Sequence, residues 1–158
     1  MLLSQNIIIQ DTIHKRKLLS KKKCTLWLSH IVKADTTLTI RIVDEAESQS
    51  LNNQYRKKNE PTNVLSFLIN DNPLLGDIIL CHSVIKKEAL AQKKSIDDHY
   101  AHLVIHGYLH LIGFDHTKND DALKMENKEI AVLKKLGIKN PYLSIYNGIN
   151  EEEKIKIY

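Results

Sequence analysis

Two hydrophobic periods run through this chain. Residues 6–10, NIIIQ, form a short β-rich run. Over 36–44, TTLTIRIVD, Leu38, Ile40 and Ile42 alternate with Thr39, Arg41 and Val43, which is the period-two signature of a strand with one wetter face. VLSFLI (64–69) and LLGDIILC (74–81) read as two further strands. The NDNP turn at 70–73 is short enough to join them as a hairpin. Helical spacing fills the intervals. From Lys15 to Val32, Leu18, Leu19, Leu26, Ile31 and Val32 recur among lysines, as in an amphipathic helix with Cys24 and Trp27 near its buried side. Residues 44–59 open acidic and end basic, as a helix dipole favours. Ala46, Leu51 and Tyr55 would supply that helix's inner face, and Pro61 its end. Residues 83–94 read as a helix with Ser83 as a candidate cap. Asp97 and Asp98 start another, which Gly113 ends. A last helix runs from about Asp120 to Leu136 and closes at Gly137. The charged tail INEEEKIKIY is expected to fray from about residue 146. Four strands and about five helices, partly alternating, predict an α+β or mixed α/β architecture.

At 158 residues the chain suits one domain, 1–158, able to bury about two-thirds of its unfolded surface. No apolar run approaches the ~20 residues that span a bilayer, and the start MLLSQNIIIQD lacks a signal peptide's basic region and long apolar core. A membrane partner is therefore not expected. Cys24 and Cys81 match no C-x-x-C pattern and suit a reducing cytoplasm. The net charge of +4 is unevenly placed: residues 1–60 carry 11 basic and 6 acidic side chains, residues 61–158 carry 12 and 13. A basic first half is compatible with a phosphate-rich partner, although many of these lysines serve equally as a solvated surface. In so Lys-rich a chain the three arginines, Arg16, Arg41 and Arg56, mark places where a planar bidentate fork is wanted.

The densest chemistry lies at 106–116, HGYLHLIGFDH, with the spacing H-x-x-x-H-x-x-G-x-x-H. On a helix His106 and His110 stand about 40° apart around the axis and ~6 Å along it, so both can reach one ion. His116 would lie ~15 Å further along a continued helix. Gly113 can take a positive φ, end the helix and turn the chain back, which brings His116 in as a third ligand. Three neutral nitrogens with an open position describe a catalytic zinc site rather than a closed structural one. His102 is one turn too early to share that ion and is expected to be packed or hydrogen-bonded. His14, His30, His82 and His99 have no ligand spacing. Asp115 could orient a ligand imidazole, bind a substrate group or help to activate water, or simply cap its loop.

HLVIHGYLHLIGFDH (102–116) resembles the signature of the YbeY family of bacterial zinc-dependent endoribonucleases. LNNQYRKKNEPTNVLSF (51–67), LGDIILC (75–81) and MENKEIAVLKKLGIKNPY (125–142) resemble further blocks of that family in order, so the likeness covers roughly residues 35–142. Asn63 stands where the family often has Asp, and Phe114 where Tyr is common. The resemblance implies an α+β fold with a mixed four-stranded sheet flanked by helices and a zincin-like metal site. It implies one Zn²⁺ per chain, held by His106, His110 and His116, with Arg56 at the active site. It further implies a single-strand-specific endoribonuclease for ribosomal RNA maturation, notably at the 3′ end of 16S rRNA, and for ribosome quality control. The small ribosomal subunit and other RNA-processing proteins would be its partners.

The second position of the motif is Glu in zinc proteases, where it shuttles a proton to the leaving amine. Here it is Gly107, which has no side chain to do so. A phosphodiester demands charge neutralisation as well as an acid, and Arg56 could hold a nonbridging oxygen bidentately while zinc lowers the pKa of water to about 7. Water or the RNA's own 2′-OH would be the nucleophile. Asn63 and Ser66 stand on a strand that could meet the substrate. Two other readings are a zinc metallopeptidase or related hydrolase, for which Asp115 is the nearest carboxylate in sequence, and a non-catalytic RNA-binding ribosome-assembly factor.

Overall fold

A computed structural model describes residues 5–13 and 18–143. The elements are β1 (Gln5–Asp11), α1 (Lys21–Leu28), β2 (Thr36–Val43), α2 (Glu45–Arg56), β3 (Val64–Asn70), β4 (Leu75–Cys81), α3 (His82–Ala91), α4 (Ile96–Leu111) and α5 (Asn119–Lys135). The four strands form one mixed sheet in the order β1-β2-β4-β3. β1 and β4 run parallel to β2, and β3 pairs antiparallel with β4 as the expected hairpin. The fold is α+β, and β3 is an edge strand.

Alternation along the strands sends side chains to two cores. Leu38, Ile40 and Ile42 of β2 join Ile78 and Leu80 of β4 in the larger one, against α1, α4 and α5. Val43, Leu65, Ile79 and Cys81 form a smaller cluster on the other side, closed by Leu51 of α2 and Val84 of α3. The wetter face of β2 is thus wet only as far as Arg41, whose guanidinium forks onto Glu47 at 2.7 and 3.0 Å. That arginine is structural.

Several boundaries differ from the sequence reading. The first helix begins at Lys21, not Lys15, because Ser20 is extended and its hydroxyl caps the Lys23 N–H. Cys24 and Trp27 are buried as expected. In α2, Tyr55 and Ala46 are exposed and Leu51 is half-buried; the buried positions are Ser48 and Asn52. Their side chains bond the following loop: Ser48 Oγ exchanges 2.9 Å hydrogen bonds with the Thr62 backbone, and Asn52 Nδ2 donates to the Glu60 carbonyl at 2.8 Å. The inner face of α2 is therefore a polar clamp on residues 59–62. Pro61 does not end α2. Lys57 does, by turning left-handed at φ 56° and donating to Asn53 O. Ser83 is no cap, since α3 starts one residue earlier and Ser83 Oγ donates to Glu45. Ser95 caps α4, with Asp97 and Asp98 in its first turn, where the dipole favours negative charge. The tail expected to fray lies outside the described residues.

Helix α4 is the structural axis, with eleven of its sixteen residues buried. It approaches the β3–β4 edge closely at Gly107. A Cβ there would stand 2.9 Å from Ser66 Oγ and 3.1 Å from Ile78 Cγ2, and Ser66 Oγ donates to the Gly107 carbonyl at 3.1 Å. Gly107→Ala is expected to destabilise the fold: ~1–3 kcal/mol of overpacking exceeds the ~1 kcal/mol that alanine gains in a helix. Gly107→Glu, which would complete the protease pattern, should abolish soluble folded protein. Denaturant melts followed by circular dichroism check both, and a Gly107→Glu protein as stable as wild type would contradict the close approach.

Candidate metal centre

The last turn of α4 presents His106 and His110 on one side, both half-buried. Gly113 then takes φ 105°, while Gly113 N donates to His110 O and Phe114 N donates to Leu109 O. This is the glycine-terminated helix end that positive φ permits. The chain turns back, and the His116 ring lies 4.6 Å from that of His110 and 5.7 Å from that of His106. His106 and His110 are themselves 4.7 Å apart. One ligand atom from each of the three lies within 4.8 Å of the other two.

The donor set fits a metal ion. Zn–N bonds of 2.0–2.1 Å in a tetrahedron need nitrogens about 3.3 Å apart, and the three ligand atoms already lie within 4.8 Å of one another. Two of the imidazoles, His110 and His116, are also biased towards the neutral form. Burial, with the neighbouring His106 and His116, pushes the pKa of His110 down to about 4. Burial and His106 lower His116 as well, with a smaller push from Arg56. Neutral imidazole is the ligating form.

Behind the cluster stands a residue that motif reading did not single out. Glu129 of α5 is fully buried. One carboxylate oxygen accepts from His106 Nδ1, leaving Nε2 as that ring's free nitrogen. The other accepts from the Tyr142 hydroxyl and lies 3.5 Å from His102 Nε2. His102 in turn bonds Tyr142 at 3.1 Å, so it is buried and hydrogen-bonded as its spacing implied. Burial alone would raise the Glu129 pKa, but the bonds from His102 and His106 outweigh it and hold the carboxylate well below its usual range. An acid–imidazole pair of this kind fixes the tautomer and orientation of a ligand. The sequence did carry a signal. Glu129 falls on the stripe of Met125, Val132 and Leu133, where a carboxylate needs a buried partner.

The cluster opens on a groove of about 720 Å³ that wraps the β3 edge. Arg56 and Lys58 line it, as do Asn63, Ser66, Glu60 and Asp115. Asp115 is exposed, and its oxygens accept from His116 N at 2.7 Å and Thr117 Oγ1 at 2.9 Å, so it shapes the loop that carries His116. Asn63 donates to Glu88 at 3.0 Å, and Glu88 also bonds the buried His99. The side chains of Asn63 and Ser66 thus hold the groove wall. Of the other histidines, His82 bonds Tyr100, His30 is exposed and His14 lies outside the described residues.

Residues 7–137 match the family profile described as endoribonuclease YbeY. A protein of Colwellia psychrerythraea named endoribonuclease YbeY is 50% identical over 149 residues, which cover 87% of this chain and 96% of that one. Another so named, from Alteromonas mediterranea, is 49% identical over 132 residues, covering 78% and 84%. A solution structure from Thermotoga maritima superposes with a TM-score of 0.56 at 27% identity, covering 83% of this chain and 91% of that one.

Two measurements test the centre. Glu129→Gln, which keeps the volume and removes the charge, should weaken metal binding about 10–100-fold in a chelator-competition titration. The second concerns pH without metal. His110 is held near 4 in the fold against 6.5 in the unfolded chain, so between those values the unfolded chain takes up a proton that the fold refuses. Stability is full above about pH 6.5 and falls as pH drops towards 4. Denaturant midpoints should show this slope, and His110→Gln should make it shallower.

Proposed function

This chain belongs to the YbeY family of endoribonucleases, and from that membership we propose that its imidazole cluster is a catalytic zinc centre. It is a nuclease acting on RNA phosphodiester bonds. The observation that carries the metal reading is the convergence of His106, His110 and His116 at the mouth of a groove that also holds Arg56. In this reading the three imidazoles hold one Zn²⁺. When bound, that ion supplies a Lewis acid and lowers the pKa of water to about 7.

The protein's own groups do the rest. Glu129 keeps the proton of His106 on Nδ1 and so presents Nε2 to the ion. Arg56 forms no ion pair among the described residues, which leaves its fork free for a nonbridging phosphate oxygen, where charge develops on cleavage. Lys58 adds positive charge along the same groove. Asp115 holds the loop that carries His116. Peptide hydrolysis is disfavoured on a structural ground: Gly107 lies against Ser66 and Ile78 and leaves no room for the protease glutamate.

The substrate in this reading is single-stranded ribosomal RNA, cut during maturation of the 16S 3′ end and in ribosome quality control. Its setting would be the cytoplasm, on or near the small subunit. No helix among the described residues is long and apolar enough to cross a membrane.

The test is cleavage of a 16S precursor by metal-defined protein. Wild type should cut. His116→Ala should lose cutting with the metal, and Arg56→Ala should lose about 10²–10³-fold in rate, as for removal of one charge-stabilising donor. Both should keep the fold and bind RNA. Equal cutting by all three would refute the assignment. Turnover of a peptide library that is lost in His110→Ala would favour a peptidase instead. RNA binding without cutting by zinc-loaded wild type would favour an assembly factor.

A further inference from the structure

Tyr55 is out of place for its position in the sequence. It is spaced with Leu51 as if to face the core, yet the residue is 58% exposed and lines the groove beside Arg56 and Lys58. The ring is not adrift. Its centroid lies 5.0 Å from that of Phe67, with the planes 65° apart, an edge-to-face contact. Phe67 is half-buried on β3 and packs against the smaller core of Val43, Leu65, Ile79 and Cys81. The Tyr55 ring is thus braced at one side by an anchored aromatic and open to the groove elsewhere.

The register of β3 places this pair relative to the chemistry. Ser66 reaches α4 and Gly107, while Leu65 and Phe67 point to the opposite face of the sheet. The groove wraps the edge strand from the imidazoles on one side to the aromatic pair on the other. Two cationic side chains, Arg56 and Lys58, line the same groove. A fixed, exposed aromatic beside cations is the pairing that single-stranded nucleic acid uses: backbone phosphates on the charges and a base on the ring. A duplex keeps its bases stacked on one another and offers no free face to such a ring.

We propose that Tyr55, braced by Phe67, is a stacking subsite for an unpaired base next to the scissile phosphodiester. The proposal rests on the endoribonuclease reading above and names how that site selects single strands. The stacked base belongs to a nucleotide flanking the cut, because the ring stands across the β3 edge from the imidazoles. Tyr55 is a binding residue, and any flat base serves, so the subsite favours unpaired strands without fixing sequence.

The experiment measures binding and cleavage of a short unstructured RNA by the zinc-loaded full chain. Tyr55→Ala should weaken binding about 5- to 150-fold, the range spanned by one base–aromatic stack, with the effect mainly in KM. Tyr55→Phe and Tyr55→Trp should bind within a few-fold of wild type, since each keeps an aromatic face. Metal content should be unchanged in all three. A set of RNAs with one abasic nucleotide moved stepwise past the cut should contain one that wild type and Tyr55→Ala bind equally. A wild type that cuts RNA no better than Tyr55→Ala overturns the subsite and leaves the nuclease standing. A Tyr55→Ala loss that persists on every abasic RNA also overturns it, and points to a backbone or protein contact. A wild type that neither binds nor cuts RNA overturns the nuclease reading itself.

Discussion

The closeness of α4 to the β3–β4 edge governs this site. At Gly107 the backbone of the helix lies so near Ser66 and Ile78 that even a methyl group would collide. The same approach sets the height of the helix over the sheet, and so the distance of His106 and His110 from the groove wall. A zinc protease needs a glutamate at this position. Here the space belongs to the sheet. The missing general base is therefore a packing consequence before it is a chemical one. What remains is an open donor set beside an arginine, which suits charge neutralisation at phosphate better than proton delivery to an amine.

A second constraint works from behind. A fully buried carboxylate is costly unless every oxygen is satisfied, and Glu129 meets that condition with His106 on one side and Tyr142 and His102 on the other. The network ties α4 to α5 and to the segment that carries Tyr142. The orientation of one proposed ligand thus depends on packing across three parts of the chain. His110 has no such partner; burial and its neighbours keep it neutral.

Much of this was legible in the sequence, for reasons that can be named. The strands were readable because each buries one face, or both, and the two-residue period survives in the residues. The three imidazoles were readable because helix geometry and a single glycine dictate where they go. Glu129 was not found that way, because its partners lie 23 positions back and 13 positions ahead, and no local pattern links them. The inner face of α2 escapes hydrophobic periodicity for a related reason. It is stabilised by Ser48 and Asn52 bonding a loop, and hydrophobic periodicity is blind to polar packing. The same periodicity points Tyr55 inward, yet it lies in the groove. The helix stops at the left-handed Lys57, four residues before Pro61.

In the proposed site three imidazoles bind one ion at the end of α4. Cobalt(II) titration of the metal-free chain tests this most directly, because its visible spectrum reports coordination number and donor type. One equivalent should bind with the intense absorption of a four-coordinate, nitrogen-rich site, and His116→Ala should lose that spectrum while keeping its fold. A weak six-coordinate spectrum, or one unchanged in His116→Ala, would contradict it.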